Sequence, residues 1–139
     1  MKKIIKGMVV MKKAQEDITV FSLGGIIYTM IEYIWRGYSH WTMMLTGSVC
    51  FLSLYKLFNY FKNMPMPEKC VLGSLVITVI EFISGCIINL KFKMQVWDYS
   101  NLKFNFLGQI SVLYSVLWGA LCIPANFFVK KLKNLFQKI

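Results

Sequence analysis

The sequence is poor in charge and in residues that catalyse reactions or bind metal ions. Only 16% of its 139 residues are charged and it has a single histidine, whereas 57% are hydrophobic. An ordinary soluble domain is about 25% charged and about 45–50% apolar. A soluble globule of this length could not bury so much apolar surface. The composition therefore excludes an ordinary soluble domain and indicates an integral membrane protein.

Familiar catalytic and metal-binding motifs are also missing. The sequence contains no GxxxxGK[ST], HExxH or GxSxG pattern. Its four cysteines form no CxxC pair, and His40 is the only histidine, which argues against a Cys/His metal site. We therefore expect no enzymatic activity, no metal and no cofactor. Any step driven by ATP would need a separate ATPase.

Four apolar stretches have about the length that a bilayer requires, roughly 20 residues each. They cover residues 18–35, 41–61, 70–90 and 107–129. We therefore predict an all-α membrane protein with four transmembrane helices, organised as one domain over residues 1–139.

Both ends of the chain are basic and amphipathic. Residues 1–17 place apolar side chains at helical spacing with lysines largely off that face, and the basic tail 130–139 repeats the pattern. Such segments lie in the headgroup plane of a membrane. We predict interfacial helices that contact anionic lipids. The net charge of +10 lies beside the apolar spans, which favours lipid over nucleic acid as its partner.

The basic residues also predict an orientation. If the chain crosses the membrane four times, twelve lysines lie on the side of the two tails and four basic residues lie on the other side. The four are Arg36, Lys91, Lys93 and Lys103. Because basic residues accumulate on the cytoplasmic side, we expect a multi-pass protein of the bacterial cell membrane with both termini in the cytoplasm.

The sequence contains an internal repeat. A shift of 49 residues aligns residues 23–34 with residues 72–83, and six of these twelve positions are identical. The two aligned spans run in the same direction across the membrane. The pattern therefore predicts two parallel two-helix repeats, residues 18–61 and 70–129.

Polar and small residues follow one face of each repeated span. The candidates for an intramembrane substrate or ion site are Glu32, Arg36, His40, Glu81, Asn89 and Gln109. The candidates for close helix packing are Gly25, Thr29, Ser74, Thr78, Gly85, Ser111, Ser115 and Gly119. A carboxylate inside a bilayer is costly, so the two glutamates should face protein or a wet cavity. They could bind a proton, an ion or a substrate, or they could only fix helix packing by hydrogen bonds.

The segment on the side opposite the tails, residues 91–106, is named here the outer segment. It contains Trp97, Asp98, Tyr99 and Ser100. Tryptophan and tyrosine favour the membrane interface, while aspartate and serine are typical of turns. We expect an interfacial turn or re-entrant hairpin, which could also cover a site between the repeats.

Several segments together resemble a known bacterial family. They are residues 36–43, 81–89, 96–101 with the Trp-Asp-Tyr-Ser motif, and 107–110. Over residues 20–125 the chain is similar to the short branch of the putative ABC-transporter type IV (CmpB-like) permeases. This resemblance implies a membrane protein related to transport.

Three functions remain compatible with the sequence. The leading hypothesis is a small permease-like or small-molecule-binding subunit that recruits an ATPase or a second membrane protein, with Glu32, Arg36, Glu81 and Asp98 around an outward-opening cavity. A homo-oligomeric ion channel is the second, because small-residue helix faces suit self-association. A membrane scaffold without transport is the third.

Overall fold

Four long helices dominate the computed structural model, which describes all 139 residues. They are α1 (Lys2–Arg36), α2 (Trp41–Tyr60), α3 (Met66–Gly85) and α4 (Val112–Lys138). A π-helical turn, Cys86–Lys91, continues α3. Each of the four helical segments is long and apolar enough to cross a membrane. The predicted all-α membrane fold class is confirmed.

Local sequence chemistry explains where the first two helices meet. Gly37 ends α1 in the left-handed conformation, with φ of 78°, and its N–H donates to Tyr33 O. This is a conformation that glycine adopts without steric cost. His40 then begins α2, because its side chain accepts a hydrogen bond from the Thr42 N–H. The short connection makes α1 and α2 an antiparallel hairpin.

The fourth helix begins five residues later than the predicted start of its span at residue 107. Leu107 and Gly108 have φ of 53° and 71°, which a right-handed helix cannot contain. They form the bend of a small hairpin whose strands are β1 (Asn105–Phe106) and β2 (Ile110–Ser111). The predicted span start is therefore corrected to Val112.

The two amphipathic tails are extensions of the long helices. Residues 2–17 belong to α1, which at 35 residues is roughly 52 Å long, against a bilayer core of about 30 Å. Residues 1–15 are all exposed. Residues 130–138 continue α4 in the same way. The proposed contact of these tails with lipid headgroups stays a prediction.

The bundle consists of two helical hairpins. α1 packs along α2 and α3 packs along α4, and α2 also contacts both α3 and α4. Eight buried residues form the main core: Val20, Leu54, Tyr55, Phe58, Ile77, Cys122, Val129 and Leu132. The hairpins coincide with the two predicted repeat units, although the repeat itself stays a prediction.

Charged side chains join three helices at the end of the bundle nearest the tails, named here the tail end. Lys133 donates to Glu16 Oε1 over 2.9 Å, and the Tyr55 hydroxyl donates to the same carboxylate. Lys56 lies 3.3 Å from Asp17. These contacts connect α1 with α2 and α4, and they place both tails at the same end of the molecule.

Glycines allow α1 and α2 to approach each other closely. A Cβ at Gly47 would lie 2.5 Å from the Tyr28 Cβ, and a Cβ at Gly25 would overlap Ser48 Oγ. A Cβ at Gly24 would overlap Phe51 in the same way. Gly25 is one of the residues predicted for close helix packing, and this role stays a prediction.

Gly47→Ala should destabilise the α1–α2 hairpin, because the added methyl group would overlap the rigid base of the Tyr28 side chain. We expect the free energy of unfolding to fall by about 1–3 kcal/mol. Thermal unfolding in detergent measures the loss. Gly7→Ala is the matched control, because no atom lies within 4 Å of its added Cβ. Equal melting temperatures for both variants would contradict the close approach.

Candidate functional site

A cavity of about 320 Å³ lies between the helices. All four helices contribute to its wall, and Trp97 of the outer segment completes it. The wall is mostly hydrophobic, with contributions such as Ile27, Phe51 and Leu121. Glu81 is the one charged residue in the lining. The cavity therefore combines an apolar wall with a single carboxyl group.

Glu81 is held by two aromatic side chains. The Tyr99 hydroxyl donates to Glu81 Oε1 over 2.7 Å, and the Trp118 Nε1–H donates to Oε2 over 3.0 Å. Glu81 itself is only 6% exposed. Tyr99 comes from the outer segment and Trp118 from α4, so one carboxyl group connects α3 with both.

The second glutamate has a different environment. Glu32 Oε1 accepts a hydrogen bond of 3.0 Å from the Tyr28 hydroxyl, and Glu32 Oε2 lies 3.3 Å from Arg36 Nε. Arg36 also donates to the backbone carbonyl of Val96 over 3.1 Å. Glu32 thus has its own cation within α1, and this ion pair reaches the outer segment. The structure brings Glu32 and Arg36 together but places them behind the Tyr28 side chain, outside the cavity lining.

Asn89 and Gln109 fix the outer segment against the bundle. Asn89 accepts from the Val96 N–H over 2.8 Å and donates to Gln109 Oε1 over 2.8 Å. The Trp97 indole N–H donates to the Gln109 carbonyl over 3.1 Å. Gly85 leaves the room for this contact, since a Cβ there would lie 2.6 Å from Gln109 Oε1. Neither Asn89 nor Gln109 lines the cavity, and these hydrogen bonds hold Val96 and Trp97 in position.

The Trp-Asp-Tyr-Ser motif divides into buried and exposed halves. Trp97 is 5% exposed and lines the cavity, while the Tyr99 hydroxyl donates to Glu81. Asp98 points outward and accepts hydrogen bonds from the hydroxyl and the backbone N–H of Ser100, which lower the pKa of Asp98. Gly108 packs against this turn, where a Cβ would lie 2.6 Å from Asp98 Oδ1. The structure therefore separates Asp98 from the cavity that it was expected to line.

Two further candidates are helix caps. His40 Nδ1 accepts from the Thr42 N–H and also lies 2.7 Å from Thr42 Oγ1. Ser111 caps α4 by accepting from the Tyr114 N–H over 3.2 Å, and so it lies before the helix instead of on its packing face. Neither residue is part of the cavity wall.

The remaining packing candidates lie mainly between α3 and α4. The Ser74 hydroxyl donates to the Ser115 carbonyl, and Thr78 Oγ1 lies 2.9 Å from Ser115 Oγ. A Cβ at Gly119 would lie 3.8 Å from the Ser74 Cβ. Thr29 instead donates to Gly25 O within α1. The positions on α3 and α4 suit the predicted packing face.

Sequence reasoning identified Tyr99 as a candidate but missed the other aromatic residues near Glu81, which are Tyr28, Tyr114 and Trp118. Tyr99 stacks on Tyr114 with ring centroids 4.5 Å apart, and Trp118 follows at 6.0 Å from Tyr114. Tyr28 lies 6.2 Å from Trp118. A signal was present, because Trp118 falls in the middle of its span, whereas tryptophan favours the membrane interface.

The chain is similar to one family of known proteins over most of its length. A family model described as "Putative ABC-transporter type IV" matches residues 42–139. The matched range includes Glu81 and the outer segment, and it leaves out Glu32, Arg36 and His40. No solved structure matches the chain.

Asn89→Ala should loosen the outer segment, because it leaves the buried Val96 N–H and the Gln109 amide without their partner. We expect trypsin to cleave at Lys93 and Lys103 about tenfold faster than in the unmodified chain, for a loss of roughly 1.4 kcal/mol. Mass spectrometry of the fragments measures the rates relative to cleavage at Lys131. Asn101→Ala, at an exposed position of the same segment, is the control. Unchanged cleavage in Asn89→Ala would contradict this role of Asn89.

Proposed function

Because the chain belongs to the Putative ABC-transporter type IV family, we propose that it is the membrane subunit of a transport system and binds a small molecule between its helices. The cavity at Glu81 carries this proposal. Its volume of about 320 Å³ falls within the range of roughly 300–1,000 Å³ that is typical of small-molecule sites. An apolar wall with a few converging polar groups is also typical of such sites.

Each polar residue near the cavity then has a role. Glu81 is the polar contact for the ligand, and Tyr99 and Trp118 hold its carboxyl group in position. Trp97 covers the ligand. Arg36 and Asn89 keep the outer segment closed through their bonds to Val96. Movement of the outer segment would admit or release the ligand.

The lining favours a bound molecule over an ion channel within one chain. A path for hydrated ions needs polar groups along its length. The cavity here is mostly hydrophobic and carries one carboxyl group. A channel would therefore need a different surface, formed between several copies of the chain.

A separate ATPase would supply the energy for transport, since the chain has no phosphate-binding loop of its own. We place the tails in the cytoplasm on the excess of lysine at their end. The loop between α2 and α3 then faces the cytoplasm. It exposes Lys62 and Asn63, and it follows Tyr60, the last residue of α2, which is 81% exposed. This loop is the proposed contact with the ATPase.

Native mass spectrometry of the protein, released gently from its own membrane, tests the binding function. We expect the unmodified chain to retain a small molecule. Ala125→Phe should lose it, because Ala125 lines the cavity and the larger ring fills part of it. The control is Ala120→Phe, whose position on the same helix is exposed. Retention of the ligand by both variants would contradict a site in this cavity. The absence of a ligand from the unmodified chain and from both variants would contradict it as well.

Photo-crosslinking tests the partner. A photoreactive amino acid in place of Asn63 should crosslink an ATPase in intact cells, whereas the same residue in place of Asn101, at the opposite end, should not. Mass spectrometry identifies the crosslinked protein. Crosslinks only to further copies of this chain would favour the homo-oligomeric channel. The absence of any crosslinked protein at position 63 would favour a scaffold that acts without an ATPase.

A further inference from the structure

The chemical class of the ligand follows from the charges around the cavity. The chain contains three ion pairs, Glu32–Arg36, Lys56–Asp17 and Lys133–Glu16, and Glu81 belongs to none of them. Glu32 already uses the one cation near the site. Glu81 is therefore a buried carboxyl group whose charge no side chain of the protein balances.

The hydrogen bonds of Glu81 hold its carboxyl group in place and leave it able to pair with a cation. The indole N–H of Trp118 can only donate, and it donates to Oε2, while the Tyr99 hydroxyl donates to Oε1. Each carboxyl oxygen thus has one neutral partner in the protein, and the ionised form of the group would have acceptor sites left on both oxygens. Burial disfavours that ionised form unless a positive partner lies beside it. The open space beside it is the cavity.

The rest of the lining selects among possible cations. Tyr28, Trp97 and Trp118 present aromatic side chains to the same cavity, together with Phe51 and Phe128. Aromatic faces attract organic cations, above all ammonium groups that carry alkyl substituents. A metal ion would need several oxygen or nitrogen ligands, and no group of three His, Cys, Asp or Glu side chains exists in the chain that could hold one.

We propose that the cavity binds an apolar organic monocation, a substituted ammonium group attached to a hydrocarbon or aromatic body. The ammonium group lies between Glu81 and the rings of Trp97 and Trp118, and the apolar body extends along the hydrophobic wall towards Phe128. This inference rests on the proposed binding function and adds the charge and character of the ligand. No other group in the cavity offers a second charge, so a dication or an anion would be excluded.

Two probes of equal shape test the inference. Benzyltrimethylammonium carries a positive charge, and neopentylbenzene is its neutral counterpart with carbon in place of nitrogen. The protein is placed in nanodiscs of phosphatidylcholine, and binding is followed by quenching of tryptophan fluorescence. Each probe also partitions into the bilayer, but to the same extent for every variant. The difference in signal between variants with one probe therefore measures binding to the protein.

We expect Glu81→Gln to weaken binding of benzyltrimethylammonium by at least about tenfold and to leave binding of neopentylbenzene nearly unchanged. Glu81→Asp keeps the charge and should retain most of the affinity for the cation. Glu68→Gln, at an exposed position of the tail end, is the control and should change neither probe. Ala125→Phe should weaken both probes, because it reduces the space for either one.

The outcomes separate the ligand class from the binding function. If the unmodified chain binds both probes and Glu81→Gln alters neither, the cavity accepts apolar molecules regardless of charge, and the inferred class is overturned while binding stands. If the unmodified chain binds neither probe, the inference fails, and the proposed binding function is then decided by the retained ligand in native mass spectrometry. Should Glu81→Gln fail to fold, loss of cation preference in Glu81→Asp would itself overturn the inference.

Discussion

A carboxyl group inside an apolar helix bundle must be hydrogen-bonded or neutralised, and the arrangement of this protein follows from that constraint. The two buried glutamates are satisfied in different ways. Glu32 is neutralised by Arg36 one helical turn away, whereas Glu81 accepts only neutral donors. Because Tyr99 reaches Glu81 from the outer segment, the position of that segment depends on the same carboxyl group. The Glu81 carboxyl group thus connects α3 and α4 with the outer segment.

The outer segment is ordered by a small number of polar contacts. Val96 contributes its carbonyl to Arg36 and its N–H to Asn89, and Trp97 is bonded to the Gln109 backbone. Each of these bonds spans different parts of the bundle, from α1 to the hairpin before α4. A segment held in this way contributes Trp97 to the cavity wall, while the long helices make their own contacts with one another. Such an arrangement suits a site that must open and close without unfolding the protein.

Much of the fold was predictable from the sequence, because length and hydropathy alone specify four spanning helices. The start of α4 was not, since Leu107 and Gly108 have positive φ values and Gly108 packs against the Asp98–Ser100 turn, which lies eight to ten residues earlier in the chain. The candidate site was predictable in part. Glu81 stood out as an intramembrane acid, but its partners Tyr99 and Trp118 are 18 and 37 residues away along the chain. No local pattern connects residues so far apart.

The two aligned glutamates of the predicted repeats have different partners, which the repeat pattern does not predict. Glu32 and Glu81 occupy equivalent positions in the alignment, yet one has an arginine four residues later and the other has Gly85. Because of that difference Glu32 has a cation as its partner and Glu81 has none. Hydropathy and residue spacing do not distinguish Glu32 from Glu81.

The most direct test of the account is a structure of the protein purified in its own lipids, determined at a resolution that shows the cavity. The account predicts density for a small molecule in contact with Glu81 and enclosed beneath Trp97. An empty or side-chain-filled cavity, with Glu81 bonded only to Tyr99 and Trp118, would contradict it.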